Sequence, residues 1–178
     1  MEHIHKVLPE ADMLVEPFVG AGNVFLNTNF KKYLLADANR DLIHLYETLH
    51  KYGEQFIDDC EDLFQFNDND KYYELRKEFN QSDYTYRRAC IFVYLNRHGF
   101  NGLCRYNLKG WFNVAYGKYK KPYFPREEMR AFYKKTHECD VTFMCKRFEV
   151  TFYYVESMTG KQSIVVYCDP PYLSLIHI

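Results

Sequence analysis

Apolar runs of strand length lie near both ends of the chain, and helical patterns separate them. Strands are predicted at residues 13–18, 33–37 and 141–145, and from Ser163 to the Asp-Pro-Pro sequence at 169–171. The last run is unbroken and rich in β-branched and aromatic residues, which predicts a strand buried on both faces. The predicted helices cover residues 23–29, 39–52, 89–95 and 127–137, with a further helical segment over 53–83. Strands that alternate with helices predict an α/β fold.

The central region interrupts the predicted sheet and changes the sign of its charge along the chain. Residues 53–83 contain ten acidic and three basic side chains, whereas residues 87–135 contain twelve basic and two acidic ones. Turn residues and alternating aromatics predict a β-hairpin over 102–119. A basic, aromatic-rich segment is typical of a nucleic-acid-binding surface, although a solvated charged face is the simpler alternative. The acidic segment is expected to face away from any polyanion.

Composition sets limits on the class of protein. The chain has 178 residues, of which 47% are hydrophobic, enough for a core. No run approaches the ~20 apolar residues of a membrane span, and the amino terminus lacks an apolar signal core, so we expect a cytoplasmic protein without a membrane partner. The six cysteines form no Cys-x-x-Cys pair, which favours reduced, buried thiols over a metal site or disulfides. For Cys168 we expect packing rather than a nucleophilic role.

A glycine turn follows the first predicted strand and suggests a nucleotide-type cofactor. Gly20 and Gly22 precede a predicted helix, as at the opening of a nucleotide-binding βαβ unit, and Asp37 ends the next strand, where a carboxylate can take ribose hydroxyls. A third glycine is missing because Phe25 stands in its place, and Glu16 would repel a pyrophosphate while attracting a cation. These two residues favour S-adenosylmethionine over NAD.

The sequence Asp169-Pro170-Pro171-Tyr172 follows the last predicted strand. Asp169 offers acceptor oxygens, and the prolines supply carbonyls without a competing N–H. Tyr172 adds a flat face on which a base could stack. This arrangement predicts a cradle for a planar group that carries an NH₂, because acceptors that hold the amine hydrogens free the nitrogen lone pair for attack. A plain strand followed by a Pro-Pro turn is the alternative.

Four motifs taken together closely resemble the Dam-type DNA adenine-N6 methyltransferases. They are Glu-Pro-Phe-Val-Gly-Ala-Gly at 16–22, Leu-Asn-Arg-His-Gly-Phe-Asn-Gly-Leu-Cys-Arg-Tyr-Asn at 95–107, Lys-Lys-Pro-Tyr-Phe-Pro at 120–125 and Asp-Pro-Pro-Tyr at 169–172. The resemblance implies a Rossmann-like class I methyltransferase sheet, here incomplete, with an inserted helical and β-hairpin target-recognition domain. It also implies S-adenosylmethionine as cofactor, no metal, and double-stranded DNA as partner, with GATC as the target.

The resemblance assigns roles to particular residues. The cofactor would be bound by Glu16, Pro17, Phe18, Gly20, Gly22, Asp37 and Asp169. The catalytic group that holds the flipped adenine would be Asp169, Pro170, Pro171 and Tyr172. DNA would be contacted by Arg97, Phe100, Asn101, Leu103, Arg105, Tyr119, Lys120 and Lys121. Within that set, Arg105 and Tyr119 would read bases, and Arg97 would contact the DNA backbone. Phe100 and Asn101 would fill or flank the gap in the duplex. His98 is expected to be a phosphate or packing contact rather than a proton shuttle.

The expected domain organisation follows the order of these motifs. Residues 1–52 would bind the cofactor, 53–138 would form the target-recognition insertion, and 139–172 would continue the catalytic domain. Residues 173–178 match the translation of a sequencing-adapter sequence and are expected to be a non-native tail. The family's amino-terminal segment and the strands after Asp-Pro-Pro-Tyr are absent, so the chain is expected to be truncated at both ends, to leave an open sheet edge, and to be inactive by itself.

Some features leave alternatives open. Phe100 stands where relatives usually have Tyr, and Ala115 where they often have Pro, so the exact target sequence is open. A cytosine-N4 DNA methyltransferase, an rRNA adenine methyltransferase and a DNA-binding module with a decayed cofactor site remain rival interpretations. We expect a monomer, with a restriction endonuclease encoded alongside as a candidate partner.

Overall fold

A computed structural model describes residues 8–158, 160 and 162–170 of the chain. The described chain divides into two compact units, one made of the residues up to Ile43 and from Lys134 onward, and the other of His44–Tyr133. The strands are β1 (Met13–Glu16), β2 (Lys32–Asp37), β3 (Asp140–Cys145) and β4 (Ile164–Val166). The helices are α1 (Asn23–Leu26), α2 (Arg40–Tyr52), α3 (Glu54–Leu63), α4 (Asn69–Gln81), α5 (Tyr86–His98), α6 (Arg126–Glu138) and α7 (Phe148–Glu156).

The first unit is built on a parallel sheet of the order β3-β2-β1-β4. Its register pairs Met13 with Lys32 on one side of β1 and with Ile164 on the other. Because all described strands run parallel, their carboxyl ends meet at one edge. A core cluster of Met13, Val15 and Leu34 with Val155 of α7 covers one face of the sheet. The predicted α/β fold class is confirmed.

The second unit is helical, and α5 forms its centre. Nine of the thirteen residues of α5 are buried, including Arg88, whose guanidinium donates to the carbonyl oxygens of Phe79 and Ser82. Thr85 caps the helix by accepting from the Arg88 N–H. Helices α3 and α4 each bury one apolar face, as their amphipathic patterns predict. The acidic segment at 53–83 is therefore part of this core and not merely a solvated helical segment.

The prediction that the last strand is buried on both faces is wrong for the described residues. Ile164, Val165 and Val166 are only half-buried. Strand β4 pairs with β1 along one side and lies at the edge of the described sheet, so fewer neighbours cover it. Strand residues can be strongly apolar without being fully enclosed.

Two further elements differ in extent from their predictions. Helix α1 ends at Leu26 instead of Asn29, because the backbone of Asn27 leaves the helical conformation, with φ −110° and ψ 17°. The hairpin predicted at 102–119 is reduced to an antiparallel bridge between Tyr106 and Phe112 and another between Gly99 and Tyr116. Helix α7 was not predicted from the sequence. No helix among the described residues is long and apolar enough to cross a membrane.

Candidate functional site

A cleft of about 400 Å³ opens at the carboxyl edge of the sheet. It is lined by Pro17, Phe18, Gly20, Asp37, Ala38, Arg147, Phe148 and Asp169. These residues lie at or after the carboxyl ends of the four strands of the described sheet. Because the strands are parallel and adjacent, the sheet brings these residues together. The volume lies in the range of small-molecule sites. Five of the seven residues predicted to bind the cofactor line this cleft.

The glycine turn and the end of β2 form one wall of the cleft. The Asp37 carboxylate accepts from the Gly20 N–H at 3.3 Å and from the Asn39 N–H at 2.8 Å. Gly20 has φ +48°, a left-handed conformation that a side chain would strain. The turn therefore depends on glycine, and Asp37 is held in place by the backbone. Gly22 lies before α1 and outside the cleft lining, and α1 has only four residues, so its terminus offers little to an anion.

Glu16 is buried beneath this turn and is not among the cleft-lining residues. Its side chain is 2% exposed, and its Oε1 has no hydrogen-bond partner in the described part of the chain. Burial raises the pKa of the carboxyl to about 8, and the Phe25 N–H and the Lys135 ammonium lower it in part. The electrostatic argument for a cationic ligand assumed an ionised carboxylate. In the structure this carboxyl is mostly protonated at neutral pH.

The Asp-Pro-Pro-Tyr motif is described as far as Pro170. Asp169 is exposed and lines the cleft, next to the strand that ends at Val166. Pro170 is exposed too, whereas Pro171 and Tyr172 lie outside the described residues. The structure thus places the motif's carboxylate at the same edge as Asp37 and the glycine turn.

Three lining residues were missed from the sequence: Ala38, Arg147 and Phe148. The rings of Phe18 and Phe148 lie 5.4 Å apart with an interplanar angle of 33°, which makes an aromatic wall. Arg147 precedes α7 and donates to Glu149 at 3.1 Å. The available signal was their position, because residues directly after β3 must reach the same sheet edge as those after β1 and β2.

The cysteines differ in part from their prediction. Cys60 and Cys90 are buried, but Cys104 and Cys168 are exposed. Partial burial raises the pKa of the Cys168 thiol, which disfavours a nucleophilic thiolate. Within residues 8–158, 160 and 162–170, no three His, Cys, Asp or Glu side chains are grouped as metal ligands would be.

The predicted DNA-contacting residues lie on one stretch of the second unit, from Arg97 to Lys121, and all eight are exposed. The Tyr119 hydroxyl accepts from the Asn101 N–H at 2.8 Å, and Asn101 has φ +53°. The Arg105 Nε donates to Asn113 Oδ1 at 2.9 Å. The structure therefore brings Asn101 and Tyr119 together, although they are eighteen residues apart in sequence.

Half of the basic residues in the predicted nucleic-acid-binding segment are engaged elsewhere. Arg126 forms ion pairs with Asp58 and Glu61, and Arg130 pairs with Glu54. Arg87 pairs with Glu78 and Lys134 with Glu138. Arg88 is buried and donates to the Ser82 carbonyl, and the half-buried Lys135 donates to the Thr28 carbonyl. The exposed basic residues of this segment that form no ion pair within the described part of the chain are Arg97, Arg105, Lys109, Lys118, Lys120 and Lys121. The basic surface is thus confined to residues 97–121, and the acidic segment neutralises much of the rest.

His98 lies inside the second unit. It is 0% exposed, its ring stacks on Tyr94 at 3.8 Å, and its Nδ1 lies 3.0 Å from the Tyr94 carbonyl oxygen. Desolvation lowers the pKa of the imidazole to about 4. His98 is therefore a neutral packing residue, which agrees with one of its two expected roles and excludes a phosphate contact.

Comparison with known proteins adds to this geometry. Residues 1–177 match the family described as D12 class N6 adenine-specific DNA methyltransferase. The chain is 50% identical over 177 residues to a DNA adenine methylase of Serratia marcescens, with 98% of the chain and 63% of that protein covered. It is 47% identical over 178 residues to a DNA adenine methylase of Escherichia coli K12, with 98% and 61% covered.

A DNA adenine methylase of Vibrio cholerae is 50% identical over 177 residues, with 98% of this chain and 61% of that protein covered. The chain therefore spans roughly three fifths of the length of the curated relatives it matches. The family match extends over both structural units and includes all four motifs that carry the sequence resemblance. The chain belongs to the D12 class of N6 adenine-specific DNA methyltransferases.

Proposed function

We propose that the protein transfers a methyl group from S-adenosylmethionine to the N6 amine of adenine in double-stranded DNA, with GATC as its target. The observation that carries the proposal is the convergence of Asp169, Asp37 and the Gly20 turn on one cleft at the carboxyl edge of the sheet. Family membership supports the reaction class. The relatives named as DNA adenine methylases support adenine in DNA as the substrate.

The cleft residues fit the proposed cofactor. Asp37 presents a carboxylate fixed by two backbone N–H groups, suitable for ribose hydroxyls. Phe18 and Phe148 offer aromatic faces to an adenine ring. Gly20 leaves the approach to the turn clear of side-chain atoms. S-adenosylmethionine would supply an electrophilic methyl group at this site.

The motif residues would prepare the amine of the target base. Asp169 and the Pro170 carbonyl would accept the two amine hydrogens, which draws the nitrogen lone pair out of the ring and toward the methyl donor. Pro171 and Tyr172 would complete the proposed cradle, where stacking on Tyr172 would contribute roughly 1–3 kcal/mol to holding the extruded base. One amine proton must leave after transfer, and the Asp169 carboxylate is exposed to solvent, so it can pass that proton to water.

The second unit would bind the duplex through residues 97–121. Lys120 and Lys121 would contact phosphates, and Arg105 would read a guanine by bidentate hydrogen bonds. Arg97 would contact the DNA backbone, while Leu103 and Tyr119 would contact bases. Phe100 and Asn101 would fill or flank the gap left by the flipped adenine. A monomeric state and a restriction endonuclease encoded alongside stay predictions.

Expression in a bacterial host that lacks adenine methylation tests the proposal. The complete reading frame that contains this chain should make genomic DNA sensitive to a nuclease that cuts only methylated GATC and resistant to one that cuts only unmethylated GATC. An Asp169→Ala variant should abolish this change while DNA binding, measured with purified protein, is kept. Unmodified adenines in cells that make folded wild-type protein would overturn the proposal.

A further inference from the structure

Trp111, the one tryptophan of the chain, lies on the basic surface and is half-exposed. The neighbouring Phe112 forms the antiparallel bridge with Tyr106, flanked by hydrogen bonds from Asn107 N to Trp111 O at 2.9 Å and from Asn113 N to Arg105 O at 3.0 Å. Successive side chains on such paired segments point to opposite sides. Phe112 is 1% exposed and points inward, so Trp111 and Asn113 share the outer side.

The backbone that carries Trp111 is held from two directions. Asn107 Oδ1 accepts from the N–H groups of Lys109 and Trp111 at 2.9 and 3.1 Å. Asn80 grips Phe112, accepting from its N–H at 2.8 Å and donating to its carbonyl at 3.0 Å. The indole is nevertheless 50% exposed. A large aromatic side chain on a fixed frame is typical of a residue that becomes buried in an interface.

The charge of the surroundings indicates the kind of partner. Residues 84–126 contain no Asp or Glu. Lys109 is exposed in the same turn, and Arg105 lies on the same side as Trp111, held by Asn113. An exposed aromatic side chain in a stretch of chain that carries cations and no acid fits a polyanion with flat or apolar groups, which duplex DNA provides.

The register places Trp111 relative to the proposed base-reading residue. Asn113, the partner of Arg105, is two residues from Trp111, which is roughly 7 Å along an extended chain. Base pairs of a duplex are about 3.4 Å apart. We propose that Trp111 is a further DNA-contacting residue, which meets the duplex about two base-pair steps from the pair that Arg105 reads, on the outer side of that pair, where it contacts the flanking DNA. This inference rests on the proposed function.

The single tryptophan makes the proposal directly measurable. Intrinsic emission of the 178-residue chain reports Trp111 alone, and titration with a GATC duplex that has long flanks should quench and shift it. In parallel, anisotropy of the labelled duplex gives the Kd. Trp111→Ala should weaken binding at least about fivefold, whereas Trp111→Phe should keep most of the affinity. Trimming the flanks should remove most of the difference between wild type and Trp111→Ala.

A matched control is Tyr153→Ala, which removes a 73% exposed aromatic of α7 outside this surface and should leave Kd unchanged. Circular dichroism and the thermal midpoint show that each variant is folded. If wild type binds the duplex but its emission stays constant and Trp111→Ala binds equally well, the inference is overturned and the proposed function stands. If the folded wild-type chain does not bind the duplex at all, the proposal that residues 97–121 form the DNA-binding surface fails, and the inference fails with it.

Discussion

Single side chains on the basic surface are expected to divide into two kinds of contact. The Arg105 guanidinium is oriented by Asn113 through Nε at 2.9 Å and through Nη2 at 3.4 Å. Lys120 is exposed, and its ammonium can follow a phosphate without fixed geometry. An oriented guanidinium can distinguish bases, whereas a mobile ammonium adds affinity for any sequence.

Arg105→Ala and Lys120→Ala form a matched pair that tests this division. Arg105→Ala should lose roughly 1–3 kcal/mol of discrimination between GATC and a duplex with one G·C pair replaced. Lys120→Ala should weaken both duplexes equally and reduce the salt slope by about one. Kd values for both duplexes across a range of salt concentrations measure both effects. Equal discrimination in wild type and Arg105→Ala would contradict the base-reading role.

Glu16 makes a residue-scale prediction about pH. In the unfolded chain this carboxyl ionises near its ordinary value of 4.5, whereas in the folded chain burial raises its pKa to about 8. The folded state therefore binds more protons between these values, so its stabilising effect is complete below about pH 4.5 and is lost as pH rises through 8. Ionisation costs on the order of a few kcal/mol because the side chain is buried.

Glu16→Gln should remove this pH dependence. Between pH 5 and pH 9, wild type should lose about 2 kcal/mol or more of unfolding free energy beyond any loss in the variant. Urea denaturation at several pH values gives both curves. Parallel curves for the two proteins would mean that Glu16 is ionised in the folded state near neutral pH.

At the scale of elements, α4 positions the loop that carries the proposed recognition residues. Besides the two hydrogen bonds between Asn80 and Phe112, Tyr72 and Arg76 donate to the Val114 carbonyl at 3.1 and 2.7 Å. Phe112 also packs edge-on against Phe79, with ring centroids 5.8 Å apart. The loop itself contains only isolated antiparallel bridges. Contacts with one face of α4 therefore fix its conformation, as longer paired strands would otherwise do.

Asn80→Ala should therefore loosen the loop without unfolding the helices. The Phe112 N–H and carbonyl would lose their partner, at a cost of about 1–3 kcal/mol. Because about 1.4 kcal/mol corresponds to a tenfold change in an opening equilibrium, amide hydrogen exchange at residues 107–115 should become about tenfold faster or more. The affinity for the GATC duplex should fall. Asn69→Ala is the control, because Asn69 is exposed on the same helix and its side chain donates to Asp70 at 3.3 Å on the surface. Unchanged exchange in Asn80→Ala would show that α4 does not hold the loop.

For the whole molecule, charge and chemistry are segregated between the two units. The formal net charge is −1. The exposed cations of residues 87–135 that form no ion pair in the described part of the chain lie at 97–121 in the second unit, whereas the cleft lies in the first. A molecule with a net charge near zero is not attracted to DNA by its overall charge, so DNA binding depends on the local positive charge of residues 97–121. The proposed cofactor, in contrast, would stabilise the unit whose strands form the cleft.

Hydrogen exchange with S-adenosylmethionine tests this segregation. Protection should rise at residues 16–20, 37–38 and 147–148, while α4 and α5 should change little. Asp37→Ala should lose the protection, because the cleft would lack its fixed carboxylate. Protection that appeared equally in α4 and α5 would contradict a cofactor site confined to the first unit.

The sequence by itself determined the fold class, the order of the strands along the chain, and most of the cleft. Apolar runs that end in Glu-Pro-Phe, Asp37 and Asp169 were sufficient, because parallel strands bring their carboxyl ends to one edge. Strand positions and the residues that end each strand can be predicted from local patterns, because they depend on residues that are neighbours in sequence. Local charge counts misled for the same reason, as they could not show that Arg126 and Arg130 meet acids from α3.

Only the tertiary structure decided what depends on contacts between distant residues. It buried Glu16 and His98 and so held both neutral, it placed Phe148 opposite Phe18, and it turned Phe112 inward against Asn80, which leaves Trp111 outside. Burial and side-chain direction follow from packing between segments far apart in the chain. Sequence periodicity therefore could not supply them, and the pKa values and exposed surfaces that bear on function had to come from the fold.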